Sequence, residues 1–253
     1  MDMVKVGGIL LKIIWRSFFL QAWWNFERLQ SIGLLYTLLP LLDHLYKNER
    51  EKYFQRKKFY EEYFNTNPLF FPIMLGALVK MEMEYAGGKI KEDIISSFKV
   101  RMMSTLGAIG DTYGWAGFRP LSAFAGILIG VLISPVAGLI VFVVIYNSFS
   151  FFLRIRGFFL GYRYGVEIVD MIGNRNPYRI AKILFTVNSV LSASLFSYLI
   201  FWSYVHQFFS FEGVFAGFVI GLFMVIFPGD FVILFYYIIL ITGDRLWPEI
   251  LKM

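Results

Sequence analysis

Cysteine is absent from the 253 residues, which excludes disulfides, thiolate nucleophiles and Cys-ligated zinc or iron–sulfur sites together. Histidine is nearly absent, with His44 and His206 the only two. Charge is scarce as well: 17% of residues carry it, where a soluble domain carries about a quarter. No HExxH, GxSxG or GxxxxGK[ST] occurs, so metalloprotease, hydrolase and P-loop readings lack their defining residues. The glycine-rich LGAIGDTYG at 106–114 follows no strand and precedes no Lys-Ser/Thr, so it is not a nucleotide loop. His44 beside Asp43 reads as a solvated helix residue, and His206 as an interfacial one at the end of an aromatic run. No catalytic residue, metal or cofactor is expected.

What is present is apolar. Hydrophobic residues make up 58% of the chain, aromatics 20%, and the mean hydropathy is +0.62. That composition fits a chain whose solvent is largely lipid, and 29 Phe, 15 Tyr and 6 Trp exclude disorder. The net charge of +6 is no nucleic-acid footprint, because no basic face with interleaved stacking residues remains outside the apolar segments. Basic runs at 47–58, 154–163 and 175–182 instead mark the inner, cytoplasmic side of a membrane.

The charge divides the chain. Residues 1–119 hold 16 of the 24 Lys/Arg and 12 of the 18 Asp/Glu, and read as amphipathic and interfacial helices. Residues 120–253 read as the main membrane-spanning region, the whole being a single subunit. The N-terminus lacks the h-region and cleavage site of a signal peptide. In 7–24, Lys12 and Arg16 share one helix face while Leu11, Ile14, Trp15 and Phe18 lie away from it, the pattern either of a helix lying in the interface or of an amphipathic helix packed on the protein. Residues 43–64 read as one solvated helix, ended by FNTNP at 64–68; helices follow at 69–86 and 90–103.

Three apolar runs come next: 120–153 without a charge, 183–211 likewise, and 213–243 with Asp230 alone. The first is long for one crossing and short for two, and Ser134-Pro135 interrupts it. The expectation is an all-α, polytopic integral membrane protein with broken or re-entrant helices and three to five membrane segments. Glycines recur every four residues at 126/130, 157/161/165 and 213/217/221, small stripes that serve either a subunit or sliding interface or static packing within the chain.

Two constellations concentrate polar groups. In 17–33, Gln21, Asn25 and Arg28 fall at i, i+4 and i+7, on one face if the segment is helical, with Trp24, Glu27 and Gln30 close by. Amides, a carboxylate, a guanidinium and an indole are the groups that hold a sugar, and they serve equally in a polar network between helices. In 102–120, Gly107, Gly110, Gly114 and Gly117 permit tight turns. Asp111 and Arg119 stand there at the edge of an apolar run, with Trp115 between them, and read either as an ion pair or as ligand contacts.

These segments resemble the enzyme IID component of the mannose/fructose/sorbose group of bacterial phosphotransferase systems. The family's SFxLQAxWNYERMQNxG is matched by SFFLQAWWNFERLQSIG at 17–33, with Phe26 for Tyr. Its FNTHP is FNTNP here, with Asn67 for His. Its GPLAGIGDxxFWGxxRP corresponds to residues 104–120, keeping Leu106, Ile109, Gly110, Asp111, Trp115, Arg119 and Pro120 while Ser104-Thr105 replace Gly-Pro. GYRYGVEIV at 161–169 and Pro228-Gly229 also look like family segments. The resemblance implies a multi-pass subunit of the bacterial inner membrane that pairs with a IIC subunit, in repeated IIC–IID units, to admit a hexose. Soluble IIA and IIB proteins would carry the phosphoryl group and phosphorylate the sugar. The departures at Asn67 and Ser104-Thr105, with the chain's end at Met253, leave an alternative: a relative that moves no sugar and acts as a membrane interaction or regulatory subunit.

Overall fold

The computed structural model describes residues 3–173 and 177–205, and among these every regular element is helical. The chain forms two compact units, residues 1–192 and 193–253. Of the second, the described residues are the end of α9 (Pro177–Val205). The run 213–243 with its glycine stripe, Asp230, Pro228-Gly229, His206 and Arg175 lie outside the described residues.

The first unit is organised around α4 (Phe71–Ala86). Its sequence is apolar on all sides up to Lys80, and every residue from Phe71 to Val79 is buried, as expected of a helix enclosed by others. α2 (Ser31–Leu45), α5 (Glu92–Gly110) and α7 (Pro135–Tyr164) pack directly on it. α1 (Met3–Arg16) lies on α2. It buries Ile13 while Leu11 and Trp15 remain exposed, so an apolar face points away from the chain. Arg16 is drawn inward, donating to the Tyr36 carbonyl at 3.0 Å and stacking 4.5 Å from that ring's centroid.

The 43–64 segment is not one helix. α2 ends at Leu45, a turn occupies 46–49, and α3 (Arg50–Glu61) follows. Nor is it wholly solvated, since Arg56 is fully buried against α4.

Small residues set the closest helix crossing. A methyl group added to Gly76 would strike the Phe158 carbonyl of α7, and one added to Gly161 would strike the Ile73 carbonyl of α4. The 157/161 stripe is therefore intramolecular packing, with the two backbones in contact. The 126/130 stripe is used in the same way, facing Gly138 across a hairpin.

That hairpin holds the two candidate spans. α5 continues without interruption through a π-helical segment (Asp111–Phe118) into α6 (Arg119–Leu132), a rod of 41 residues from Glu92. α7 and α8 (Ile168–Gly173), joined by a short 3-10 turn, make the second, Pro135–Ile172. The break falls at 133–134, as the sequence indicates: Ser134 Oγ accepts from Ala137 N at 3.2 Å and Pro135 occupies the first helical turn. Both helices outrun the uncharged stretch because they continue into its charged flanks. From Ser134 to Arg154 is 20 residues, about 30 Å of helix, the thickness of a bilayer's hydrocarbon core. Over that length Leu139, Ile140, Val144, Phe151 and Phe152 are exposed.

Candidate functional site

Local chemistry explains why 20–30 is not a helix. Asn25 Oδ1 accepts from Arg28 N at 2.8 Å, Asn25 and Leu29 exchange backbone bonds, and Leu29 takes a positive φ of 52°. The asparagine side chain thus closes a turn in place of a helical bond. Gln21, Asn25 and Arg28 consequently do not share a helix face. Gln30 N donates to the Phe64 carbonyl at 2.8 Å, and Gln30 Oε1 accepts from Thr66 N at 3.0 Å. The 17–33 motif is thereby fastened to the FNTNP turn.

FNTNP is in turn fastened to the third motif. Asn67 Nδ2 donates to Asp111 Oδ1 at 3.0 Å, and Asn67 Oδ1 accepts from Leu69 N at 3.0 Å. Gly110 lets the Asn67 side chain lie directly on the helix, where any Cβ would collide with it. Gly114 leaves room for Leu69 and Gly117 for Leu184. Gly110, Gly114 and Gly117 therefore accept side chains from neighbouring segments, a Cβ on Gly107 would meet nothing within 4 Å, and none makes a tight turn.

Between these three segments lies a polar cavity of about 550 Å³. Gln21, Gln30, Asp111 and Trp115 line it, together with Tyr63, Asn65, Thr66, Asn67, Met103 and Ser104. Thr66 is 4% exposed and its Oγ1 has no hydrogen-bond partner. A hydroxyl so placed costs about 1–3 kcal/mol unless water or a ligand serves it. No Lys, Arg or His belongs to the lining.

The remaining residues singled out in the sequence lie elsewhere. Trp24 is exposed with Phe26 packed edge-on to it, and Glu27 pairs with Arg28 at 3.5 Å on the surface. Gly110 sits beneath Asn67. Asp111 and Arg119 form no ion pair: the segment between them stays helical, which separates their backbones by about 12 Å along the axis. Arg119 instead lies 4.9 Å from the centroid of the Trp115 ring. His44 is exposed on α2, and among the described residues no group of His, Asp and Glu forms a metal site.

A second polar cluster escaped the sequence reading. Glu82, fully buried in α4, accepts from Arg56 Nε and Nη2, each at 2.8 Å. It also accepts from Tyr46 Oη at 2.8 Å and Tyr60 Oη at 2.5 Å. Arg56 Nη1 reaches Glu92 of α5 at 2.6 Å. Burial, with Glu82 beside them, pushes the Tyr46 and Tyr60 hydroxyls well above the usual tyrosine range. Burial alone would lower the Arg56 pKa, but its hydrogen bonds to Glu82 and the surrounding charge leave it raised. Nearby, Lys99 donates to the Phe59 carbonyl at 3.0 Å and to Glu62 at 2.9 Å. In sequence, the signal was Glu82 itself, a carboxylate placed with Lys80 and Glu84 in the last turns of an otherwise apolar helix. Arg154 of α7 is also enclosed, donating to Ser17 Oγ at 2.9 Å over the Phe18 ring.

Comparison with known proteins adds the following. The family described as "PTS system mannose/fructose/sorbose family IID component" matches residues 8–206. The mannose-specific EIID component of Escherichia coli (strain K12) is 31% identical over 170 residues, 66% of this chain and 58% of that protein. The match thus spans less than two thirds of the relative's length. Among solved structures, one described only as a membrane protein has a TM-score of 0.72 at 22% identity, covering 94% of this chain and 96% of that one. A chain from the cryo-EM structure of the mannose transporter ManYZ with microcin E492 has a TM-score of 0.60 at 22% identity and the same coverage. Both likenesses concern the fold.

Proposed function

The chain belongs to the IID component family of the mannose/fructose/sorbose phosphotransferase systems, and from that premise we propose that it is the IID membrane subunit of a sugar importer. It works with a IIC subunit to carry a hexose across the bacterial inner membrane, and IIB phosphorylates the sugar during uptake. The observation that carries this reading is the α6–α7 hairpin, apolar and exposed over about 30 Å beyond a closely packed, charge-bearing core. Lipid or a partner helix must cover that surface.

The same geometry supports an orientation. Arg56 binds Glu82, and Lys80 Nζ donates to the Arg163 carbonyl at 3.0 Å. The run 47–58 and the C-terminal end of the run 154–163 therefore both reach the C-terminal half of α4. By the positive-inside rule this end faces the cytoplasm, where IIA and IIB act. α1, with Leu11 and Trp15 exposed, lies in the interface. Residues 1–119 are in this reading the interfacial part and 120–253 the spanning part.

The test is reconstitution. Cells without their own hexose system should accumulate labelled mannose, fructose or sorbose as the phosphate when given this chain with its IIC, IIA and IIB partners. Omission of this chain should abolish uptake, and no label from phosphoenolpyruvate should appear on His44 or His206. A fully assembled complex that moves none of the three sugars would return the chain to the non-transporting alternative.

A further inference from the structure

We infer that the cavity between the FNTNP turn and the π-helical segment is a subsite for a neutral hexose on this chain itself, one that rejects the phosphorylated product. The sugar's identity rests on the transport reading above; the ligand class rests on the cavity's own chemistry. Its volume of about 550 Å³ lies within the ~300–1,000 Å³ of small-molecule sites.

The groups left over after internal bonding alternate in kind. Gln30 uses its Oε1 on Thr66 N, which leaves its NH₂ as a donor. Asp111 uses Oδ1 on Asn67, which leaves Oδ2 as an acceptor. Ser104 Oγ makes only a 3.4 Å bond to the Arg101 carbonyl and is open to the cavity. Sugar hydroxyls both donate and accept, so they answer such a mixture, whereas an apolar or purely anionic ligand does not. Trp115 and Met103 supply an apolar wall for the C–H face of a ring.

Charge decides between substrate and product. Asp111 is the one charged residue of the lining, and it is acidic. Arg119 lies against the Trp115 ring and is not part of the lining. A phosphate dianion entering here would meet a carboxylate and no cation. A neutral hexose is therefore held and its 6-phosphate is not.

The assay photolyses membranes containing the complete complex with a diazirine-bearing hexose and maps the adducts by mass spectrometry. Adducts are expected within 63–68 or 103–115 of this chain. Excess unlabelled hexose should suppress them, and the same concentration of hexose 6-phosphate should not. Asp111→Asn should lower the yield about tenfold, the loss of roughly one charge-assisted hydrogen bond, with unchanged amounts of complex. If that variant assembles poorly, Ser104→Val, which adds bulk at an exposed position, replaces it with the same expectation. Adducts confined to other subunits, or adducts here that hexose does not suppress, would overturn the subsite, the second pointing to a docked partner segment. Equal suppression by the 6-phosphate would overturn its selectivity. Uptake without labelling of this chain removes the subsite and keeps the transport reading; labelling without uptake does the reverse.

Discussion

Around α4, apolar side chains meet one another; on the outer faces of α6 and the first half of α7 they meet nothing among the described residues. Both regions are rich in Leu, Ile, Val and Phe, yet Leu78 is fully buried while Leu139 is 63% exposed. Their charges run opposite to the habit of soluble proteins. The enclosed region contains Arg56, Glu82 and Lys99, each bonded to partners, while the exposed region from 120 to 153 contains no charge. Ions are tolerated here where protein can surround them, and are excluded where the surroundings are hydrocarbon.

The strongest way to break this contrast is to strand a charge in the core. Arg56→Ala should destabilise the protein by about 3–5 kcal/mol, because Glu82 is left buried without its bidentate partner. Thermal unfolding of the purified complex and its yield in membranes would both report it. Restoring apolar volume on both sides, as in Arg56→Met with Glu82→Leu, should recover much of the loss. A single variant that melts with the wild type would mean the cluster is no internal pin.

A milder probe compares glycines. Gly161→Ala must push α7 away from the α4 backbone and should cost about 1–3 kcal/mol. Gly130→Ala, whose new methyl would find its nearest neighbours at ordinary contact distances, should stay within about 0.5 kcal/mol of wild type. Equal effects at the two positions would erase the distinction between core and hairpin.

How much of this was legible follows from which partners are local. The break at 133–134 was, since serine and proline cap a helix start by themselves. So was the intramolecular use of the 126/130 and 157/161 stripes as one of two readings. The turn at 20–30 was not: Gln21, Asn25 and Arg28 keep helical spacing, and only the Asn25 side-chain bond and the tie from Gln30 to Phe64 decide against a helix. Arg56 was hidden by its charged neighbours, because the residue that buries it is 26 positions away. Glycine misled most at 110–117, where it reads as bending and the structure uses it as space for Asn67, Leu69 and Leu184. Of the site residues, Gln21, Gln30, Asp111 and Trp115 do meet at one cavity, which motif similarity alone did not join to Thr66.

The gentlest probe of the core is alkaline pH. The Tyr46 and Tyr60 hydroxyls titrate higher in the folded chain than in the unfolded one. Their contribution is thus complete below the unfolded value of about 10 and declines as pH rises beyond it. Melting temperature should fall above about pH 10, and Tyr46→Phe with Tyr60→Phe should flatten that fall. An unchanged slope in the double variant would show that these hydroxyls ionise freely.

The two-residue apex of the hairpin bears on how the chain enters a membrane at all. α6 is the last 14 residues, about 21 Å, of the rod that begins at Glu92. Its link to α7 is only Ile133 and Ser134, and Ser134 satisfies the first amides of α7 through both its hydroxyl and its carbonyl. Almost no polar backbone and no ion has to be carried to the far side. Insertion can therefore proceed by concerted entry of both helices, with the apex leading and no hydrophilic loop to be translocated.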